Sequence, residues 1–305
     1  MPPTVFFAGD CLYIRCARTS GLVHRPPGFA FRMVSNLPFL FAEPFLSPWR
    51  HRQLFRRVLS RDIEATFRGS AFGLAWIVLI PLALVVIYSF VFGVILNAKW
   101  ATPVQTPYDV PLIYFCGIMV FSFFMEPIIR ATTFIREQRA YVTKIIFPVE
   151  LLGWVLIGTS LFKFCVNLTL LLAAITVVHG AFPVHALMIP VLMLPLLLMT
   201  IGVVWFLAGI GAFVRDLAHA LQALGPIIMF ISPIFYSAAQ IPAAYRSWFF
   251  ANPLTFFLES MRGLLFFDTP FSWSSYLIYL GVALVVALSG FAFFQRLRPG
   301  FADVV

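Results

Sequence analysis

Residues 61–96 read RDIEATFRGSAFGLAWIVLIPLALVVIYSFVFGVIL. A charged segment runs without a break into an apolar one, and no formally charged residue occurs between positions 71 and 96. At about 1.5 Å per helical residue, the apolar stretch is longer than the roughly 30 Å hydrocarbon core of a bilayer. The pattern therefore predicts a first transmembrane helix. Arg61 and Arg68 precede it, and arginines flank the cytoplasmic ends of spans far more often than the other ends.

The composition extends this prediction to the whole chain. Of 305 residues, 61% are hydrophobic and 11% are charged, whereas a soluble domain has about 25% charged residues. The net charge of +9 would suit nucleic acid. The basic residues, however, lie at the edges of apolar stretches, which favours a polytopic membrane protein without nucleic-acid binding.

Hydropathy predicts an all-α membrane protein with six transmembrane helices in residues 67–294. The later spans are predicted at 111–129, within 151–178, and at 186–213, 221–238 and 273–294, followed by a cytoplasmic tail at 295–305. Residues 239–271 are apolar but interrupted by prolines and charges. We expect interfacial or re-entrant half-helices there, between spans five and six.

The distribution of basic residues predicts that both chain ends are cytoplasmic. Seventeen of the 21 lysines and arginines lie on the predicted cytoplasmic side, and only Lys99, Arg246 and Arg262 lie on the other. Lys163 lies within the third span, where a charge must reach the interface, pair or line water. Glu126 and Arg130 have the spacing of a helical ion pair.

The N-terminal region divides into two segments. Residues 1–46 are predicted to form an irregular tail, or an extension on the membrane surface. Residues 47–66 predict an amphipathic interface helix on the cytoplasmic leaflet, starting at Ser47-Pro48. Its apolar positions recur at helical spacing, and its arginines fall mostly on the other side: Leu54, Phe55, Val58, Leu59 and Ile63 against Arg50, Arg56, Arg57 and Arg61.

Six short motifs follow one another along the chain: RD with RGS and GLAW at 61–76, KIIFPVE at 144–150, RDL at 215–217, SPIFY at 232–236, NPLT at 252–255 and RLRPGFAD at 296–303. In this order they resemble the permease subunit of ABC exporters of cell-surface polysaccharide. This is the O-antigen, capsule and teichoic-acid branch of the ABC-2 family. The resemblance covers about residues 60–305.

The resemblance implies a homodimer in the bacterial inner membrane that moves a polyprenyl-diphosphate-linked glycan. It also implies two copies of a separate ABC ATPase subunit, which would hold ATP and Mg. The sequence agrees with this division, because a P-loop needs a lysine directly after a glycine. None of Lys99, Lys144 and Lys163 follows a glycine. We therefore expect no cofactor in this chain.

Three groups of residues are candidates for mechanism, each with a structural alternative. The segment after span two is expected to couple to the ATPase, or else is an ordinary anchoring loop. Aromatic rings are expected to line a glycan channel, or else face lipid or other helices. Two charges of the predicted half-helices either pair with each other or face a lipid diphosphate near the exit. The residues are Arg136, Glu137, Arg139, Lys144, Pro148 and Glu150 for coupling; Tyr88, Phe121, Phe123, Phe124, Phe235 and Tyr236 for the channel; and Glu259 and Arg262 for the exit.

The sequence predicts no catalytic or metal site. His179 and His185 flank one external turn with no carboxylate nearby, and the four cysteines lack zinc or redox spacing. A membrane-embedded enzyme would need clustered Asp, Glu or His, and a secondary transporter would need repeats and paired intramembrane carboxylates. An ABC-2 exporter of another amphiphile, such as a lipid or drug, remains the nearest alternative, ahead of a secondary transporter.

Overall fold

The computed structural model describes residues 37–66, 72–95, 100, 106, 108–138 and 148–301. Within these ranges no strand occurs, so the predicted all-α class is confirmed for the described residues. The α-helices are α1 (Leu37–Arg50), α2 (Arg52–Thr66), α3 (Trp76–Tyr88), α4 (Asp109–Glu137), α5 (Leu151–His179), α6 (Ile189–Phe213), α7 (Leu217–Ile231), α8 (Ala243–Ala251), α9 (Pro253–Arg262) and α10 (Trp273–Leu297). A π-helical stretch, Ser89–Ile95, continues α3.

Four of the described helices, α4, α5, α6 and α10, are long and apolar enough to cross a membrane. The apolar helices α3 and α7 have 13 and 15 residues, fewer than the roughly 20 that a span needs. Length and composition therefore identify four spans and do not confirm six. The predicted span at 221–238 ends at Ile231 because Pro233 disfavours helical backbone at Ser232, which has φ −79° and ψ 138°.

The N-terminal segments differ from their predicted boundaries. Residues 37–46 of the predicted irregular tail are helical, and Ser47-Pro48 lies inside α1 instead of starting a helix. The amphipathic helix is α2, which follows a turn at His51. Residues 1–36 lie outside the described part of the chain.

The described helices from residue 41 onward belong to one compact unit with two ends. At the Glu150 end, α4 and α6 end, α5 begins and Arg298 after α10 pairs with Glu150. At the His179 end, the last residue of α5, His179, lies 2.8 Å from Asp109, the first residue of α4. α4, α6 and α10 therefore run in the same direction, and α5 runs opposite to them.

Helix α6 lies at the centre of this packing. Its Trp205 is fully buried between Trp154 of α5 and Phe291 of α10, with ring centroids 6.0 and 5.0 Å away. The indole Nε1 donates to the Glu150 carbonyl at 3.2 Å. This hydrogen bond satisfies the polar edge of a ring that is otherwise surrounded by apolar side chains.

Two glycines let α6 and α10 approach closely. A Cβ added to Gly202 would lie 2.5 Å from the Val286 carbonyl oxygen, and one added to Gly290 would collide with the carbonyl oxygen of Gly202. Small residues at such crossings are typical of helix packing in membranes, where close backbone contact replaces the hydrophobic effect.

Gly290→Ala should therefore destabilise the protein, whereas Gly281→Ala on the same helix should not. The added methyl group at position 290 has backbone as its neighbour, and overpacking of this kind costs about 1–3 kcal/mol. A Cβ at Gly281 meets no atom within 4 Å. Thermal unfolding in detergent, followed by tryptophan fluorescence, measures both variants; equal melting temperatures would contradict the close crossing.

Candidate functional site

Helix α2 lies against α5 at the Glu150 end. Val58 is buried, and the side chains of Phe55 and Leu59 lie where Gly158 of α5 leaves room. A Cβ at Gly158 would come within 2.9 Å of Leu59. The arginines at positions 50, 52, 56 and 57 are exposed. α2 thus buries its apolar side and exposes its basic side, while its predicted place on the cytoplasmic leaflet stays a prediction.

A buried carboxylate fixes α2 to two long helices. Asp62 is 7% exposed, and Arg130 of α4 donates to both its oxygens, at 2.8 and 3.1 Å. The hydroxyl of Thr159 on α5 donates to one of these oxygens at 2.7 Å. We call Asp62, Arg130 and Thr159 the α2 clamp. Because a bidentate arginine pair has a fixed geometry, the clamp holds α2 in one orientation.

The clamp corrects a prediction. Arg130 pairs with Asp62 and not with Glu126, four residues earlier on α4. Glu126 pairs instead with Lys163 of α5. Since α5 begins at Leu151, Lys163 lies about 18 Å along it. Lys163 is therefore paired in the structure, which is one of the alternatives predicted for it.

The described coupling candidates surround the Glu150 end. Glu150 forms an ion pair with Arg298 at 3.3 Å. Arg136 is half-buried and Glu137 is exposed at the last turn of α4, and Pro148 is half-buried before α5. The neighbouring Gln138 accepts a hydrogen bond from Arg61 of α2 at 3.1 Å. Arg139 and Lys144 lie outside the described residues.

The predicted channel aromatics occupy different environments. Phe121 and Phe123 are buried, and the Phe123 ring lies 5.5 Å from that of Phe164 on α5. Tyr88, Phe124, Phe235 and Tyr236 are half-buried. The Tyr236 hydroxyl donates to the Phe230 carbonyl at 2.9 Å, which ties the SPIFY segment to the end of α7. Their part in a channel stays a prediction.

Arg262 holds the SPIFY segment from the other side. The side chain is 0% exposed, and its two terminal nitrogens donate to the carbonyls of Pro233 and Ile234, each at 2.6 Å. It also pairs with Glu259 at 3.4 Å, and its guanidinium lies 4.8 Å from the centre of the Trp100 ring. Glu259 and Arg262 therefore pair with each other in the structure, and their part at an exit stays a prediction.

Two features adapt the surroundings to this arginine. Gly117 of α4 leaves space for it, since a Cβ there would lie 2.7 Å from Arg262. Burial lowers the pKa of the guanidinium, and the Glu259 carboxylate opposes that shift. An arginine keeps its charge in proteins despite such a shift.

The NPLT motif joins the same assembly. Asn252 caps α9 by accepting a hydrogen bond from the Leu254 backbone N–H at 3.0 Å, and its amide donates to Ser232 at 2.9 Å. Two motifs that are 20 positions apart in sequence are thus one structural unit. α9 itself buries Leu254, Phe257 and Leu258.

The histidines at the other end have carboxylate partners, contrary to the sequence prediction. His179 lies 2.8 Å from Asp109, which also accepts bonds from the backbone and hydroxyl of Thr106. His185 lies 3.1 Å from the exposed Asp268. The partners come from distant parts of the chain, so proximity in sequence could not reveal them. No group of three metal-binding side chains occurs among the described residues.

Residues 53–266 match the family described as "ABC-2 type transporter". The chain belongs to the ABC-2 type transporter family. The match includes α2 from its second residue, the α2 clamp, and the SPIFY and NPLT motifs. The resemblance seen in the sequence motifs is confirmed, and the chain is an integral membrane protein.

Three curated relatives of this ABC-2 protein are each named "O-antigen export system permease protein RfbA". The protein from Myxococcus xanthus is 24% identical over 260 residues, covering 84% of this chain and 97% of its own. Two proteins from Klebsiella pneumoniae are 23% and 25% identical over 280 and 282 residues, each covering 90% of this chain and 100% of their own.

Sequence reasoning missed the α2 clamp of this ABC-2 subunit, although one signal was present. Asp62 follows Val58 by four positions, so it falls on the side of α2 that buries Val58. A carboxylate on a buried helix side needs a partner. The identity of that partner depends on tertiary contacts 68 and 97 positions away.

Arg130→Ala should destabilise the protein because it leaves the Asp62 carboxylate buried and unpaired. Loss of one partner from a fully buried pair costs about 3–5 kcal/mol. Arg130 is 30% exposed, so we expect roughly 2 kcal/mol. Thermal unfolding in detergent measures the loss.

Two further variants control this experiment. Arg57→Ala, on the exposed side of α2, should change stability by less than about 0.5 kcal/mol. Asp62→Asn combined with Arg130→Ala should be more stable than Arg130→Ala alone, since no charge is then left unpaired. A double variant that is no better than Arg130→Ala would refute the clamp as an ion pair.

Proposed function

We propose that this chain is the transmembrane subunit of an ATP-driven ABC exporter. It moves a lipid-linked or polymeric cell-surface polysaccharide from the cytoplasm across the inner membrane. The observation that carries the proposal is the family match together with relatives named as O-antigen export permeases, which align over 84–90% of this chain.

The proposed architecture is a homodimer of six-span subunits with cytoplasmic termini. α3 with its π-helical continuation, and α7, are the two shorter spans, and α8 and α9 are the half-helices between spans five and six. The basic residues at the Glu150 end support a cytoplasmic location for that end, including Arg61, Arg136, Arg215 and Arg298. α2 is then the cytoplasmic interface helix.

The Glu150 end is the proposed docking surface for two copies of an ABC ATPase, which bind ATP and Mg. This surface consists of the exposed side of α2 and the last turn of α4, with Arg136 and Glu137, which in sequence precedes the segment that holds Arg139 and Lys144. Pro148 and Glu150 end that segment against α5. We infer that ATPase movements pass through α2 into α4 and α5, because the α2 clamp joins the three helices.

The proposed test is co-purification with ABC ATPases from the same organism, beginning with any encoded beside this gene, in nanodiscs, followed by an ATP hydrolysis assay. We expect a complex of two permeases and two ATPases, whose hydrolysis rate changes on adding a polyprenyl-diphosphate glycan. The undecorated polyprenyl diphosphate, without sugar, is the control and should change the rate less.

The outcomes separate the alternatives. If the complex responds to lipids or drugs but to no glycan, the exported substrate is another amphiphile. Failure to assemble with any ATPase would overturn the ATP-driven mechanism and favour a secondary transporter.

A further inference from the structure

A cavity of about 350 Å³ lies between α3, α4 and α5. α4 and α5 contribute both polar and apolar side chains to its lining, and we call the polar ones the polar wall; the side that belongs to α3 is wholly apolar. The polar wall carries Ser122, Glu126, Ser160, Lys163 and Asn167. These residues recur at helical spacing on their two helices, so each helix turns one polar stripe towards the cavity.

The charges of the polar wall cancel. Lys163 and Glu126 form an ion pair, and no other charged side chain lines the cavity among the described residues. Both keep part of their surface accessible, 22% for Lys163 and 35% for Glu126. A site of this kind does not favour an anion such as a diphosphate, because the carboxylate repels what the ammonium attracts.

The same wall offers hydrogen bonds in both directions. The Asn167 side-chain oxygen is buried and has no hydrogen-bond partner in the described protein. A buried acceptor without a partner is costly, so its partner is expected to come from outside the protein. Lys163 has three N–H donors, of which the ion pair with Glu126 uses one.

The opposite wall is apolar and partly aromatic. α3 contributes Trp76, Ile80, Pro81 and Leu84, and Phe123 closes the cavity from α4. A pyranose ring has the matching two-sided character, since its faces are C–H groups that stack on aromatic rings and its edge carries hydroxyl groups. At about 350 Å³ the cavity is at the lower end of ligand-site volumes, which suits one sugar unit.

We propose that this cavity binds one uncharged pyranose unit of the exported glycan. Its hydroxyl edge bonds Asn167, Lys163 and Glu126, and its face lies against Trp76 and the apolar side of α3. The site lies within one subunit, and this inference rests on the proposed function.

The test is sugar binding to the complete permease–ATPase complex in nanodiscs, measured by saturation-transfer NMR. The probes are the methyl glycosides of glucose, galactose and mannose, with glucose 1-phosphate as the anionic comparison. We expect at least one methyl glycoside to bind, and more tightly than glucose 1-phosphate. Tighter binding of the phosphate would overturn the proposal.

Matched variants localise the binding. Asn167→Leu and Trp76→Phe should each raise the Kd about tenfold, because the first removes a polar partner and the second reduces the stacking surface. Thr169→Val on α5 and Trp273→Phe on α10 lie outside the cavity and should change the Kd less than twofold. Equal affinities for the cavity variants and these controls would refute the site.

The ATPase response of the same preparations separates this inference from the proposed function. If polyprenyl-diphosphate glycan changes hydrolysis but the cavity variants bind methyl glycosides like the wild type, only the cavity site is wrong. If no glycan changes hydrolysis in the wild type, the proposed substrate class is wrong as well.

Discussion

The carboxylate of Asp62 cannot stay buried without a partner, and the position of α2 follows from that constraint. Arg130 and Thr159 satisfy its two oxygens from α4 and α5. If α2 tilted away, three polar groups would lose their bonds together, and a charge would remain in a poorly solvated place. α2, α4 and α5 are therefore held as one unit at the Glu150 end.

Other buried or half-buried polar side chains of the described bundle are also paired. Arg262 binds two carbonyls of the SPIFY segment, Glu126 and Lys163 pair midway along their helices, and His179 bonds Asp109 where α5 meets α4. Each of these polar contacts joins elements that are distant in sequence. Apolar packing around Trp205 brings the helices together, and the polar contacts fix which residues face each other.

Much of this fold follows from periodicity. The apolar stretches predict the long helices, and the spacing in α2 predicts which side of it is buried, whereas its packing on α5 is known only from the structure. The boundaries depend on local features that periodicity does not weigh, such as Pro233 ending α7 and a helix that continues through Pro48. The polar pairs were the least predictable part. Helical spacing favours Glu126 with Arg130, yet each has a better partner on another helix.

The sequence also indicated which motifs matter without indicating how they act. SPIFY and NPLT are family-like segments, and only the structure brings Ser232 to Asn252 and the Pro233 carbonyl to Arg262. For the candidate channel aromatics, the residue type was evident from the sequence, but the environment of each ring was not. The sequence left open whether these rings line a channel or face lipid or other helices, and the structure buries Phe121 and Phe123 between helices.

We propose that the α2 clamp transmits ATPase movements into the membrane helices. The most direct measurement is the number of glycans translocated per ATP hydrolysed, in proteoliposomes that hold the complex with Asp62→Asn. We expect hydrolysis to continue and the ratio to fall several-fold, while Arg57→Gln on the exposed side of α2 leaves it unchanged. An unchanged ratio for Asp62→Asn would contradict transmission through the clamp.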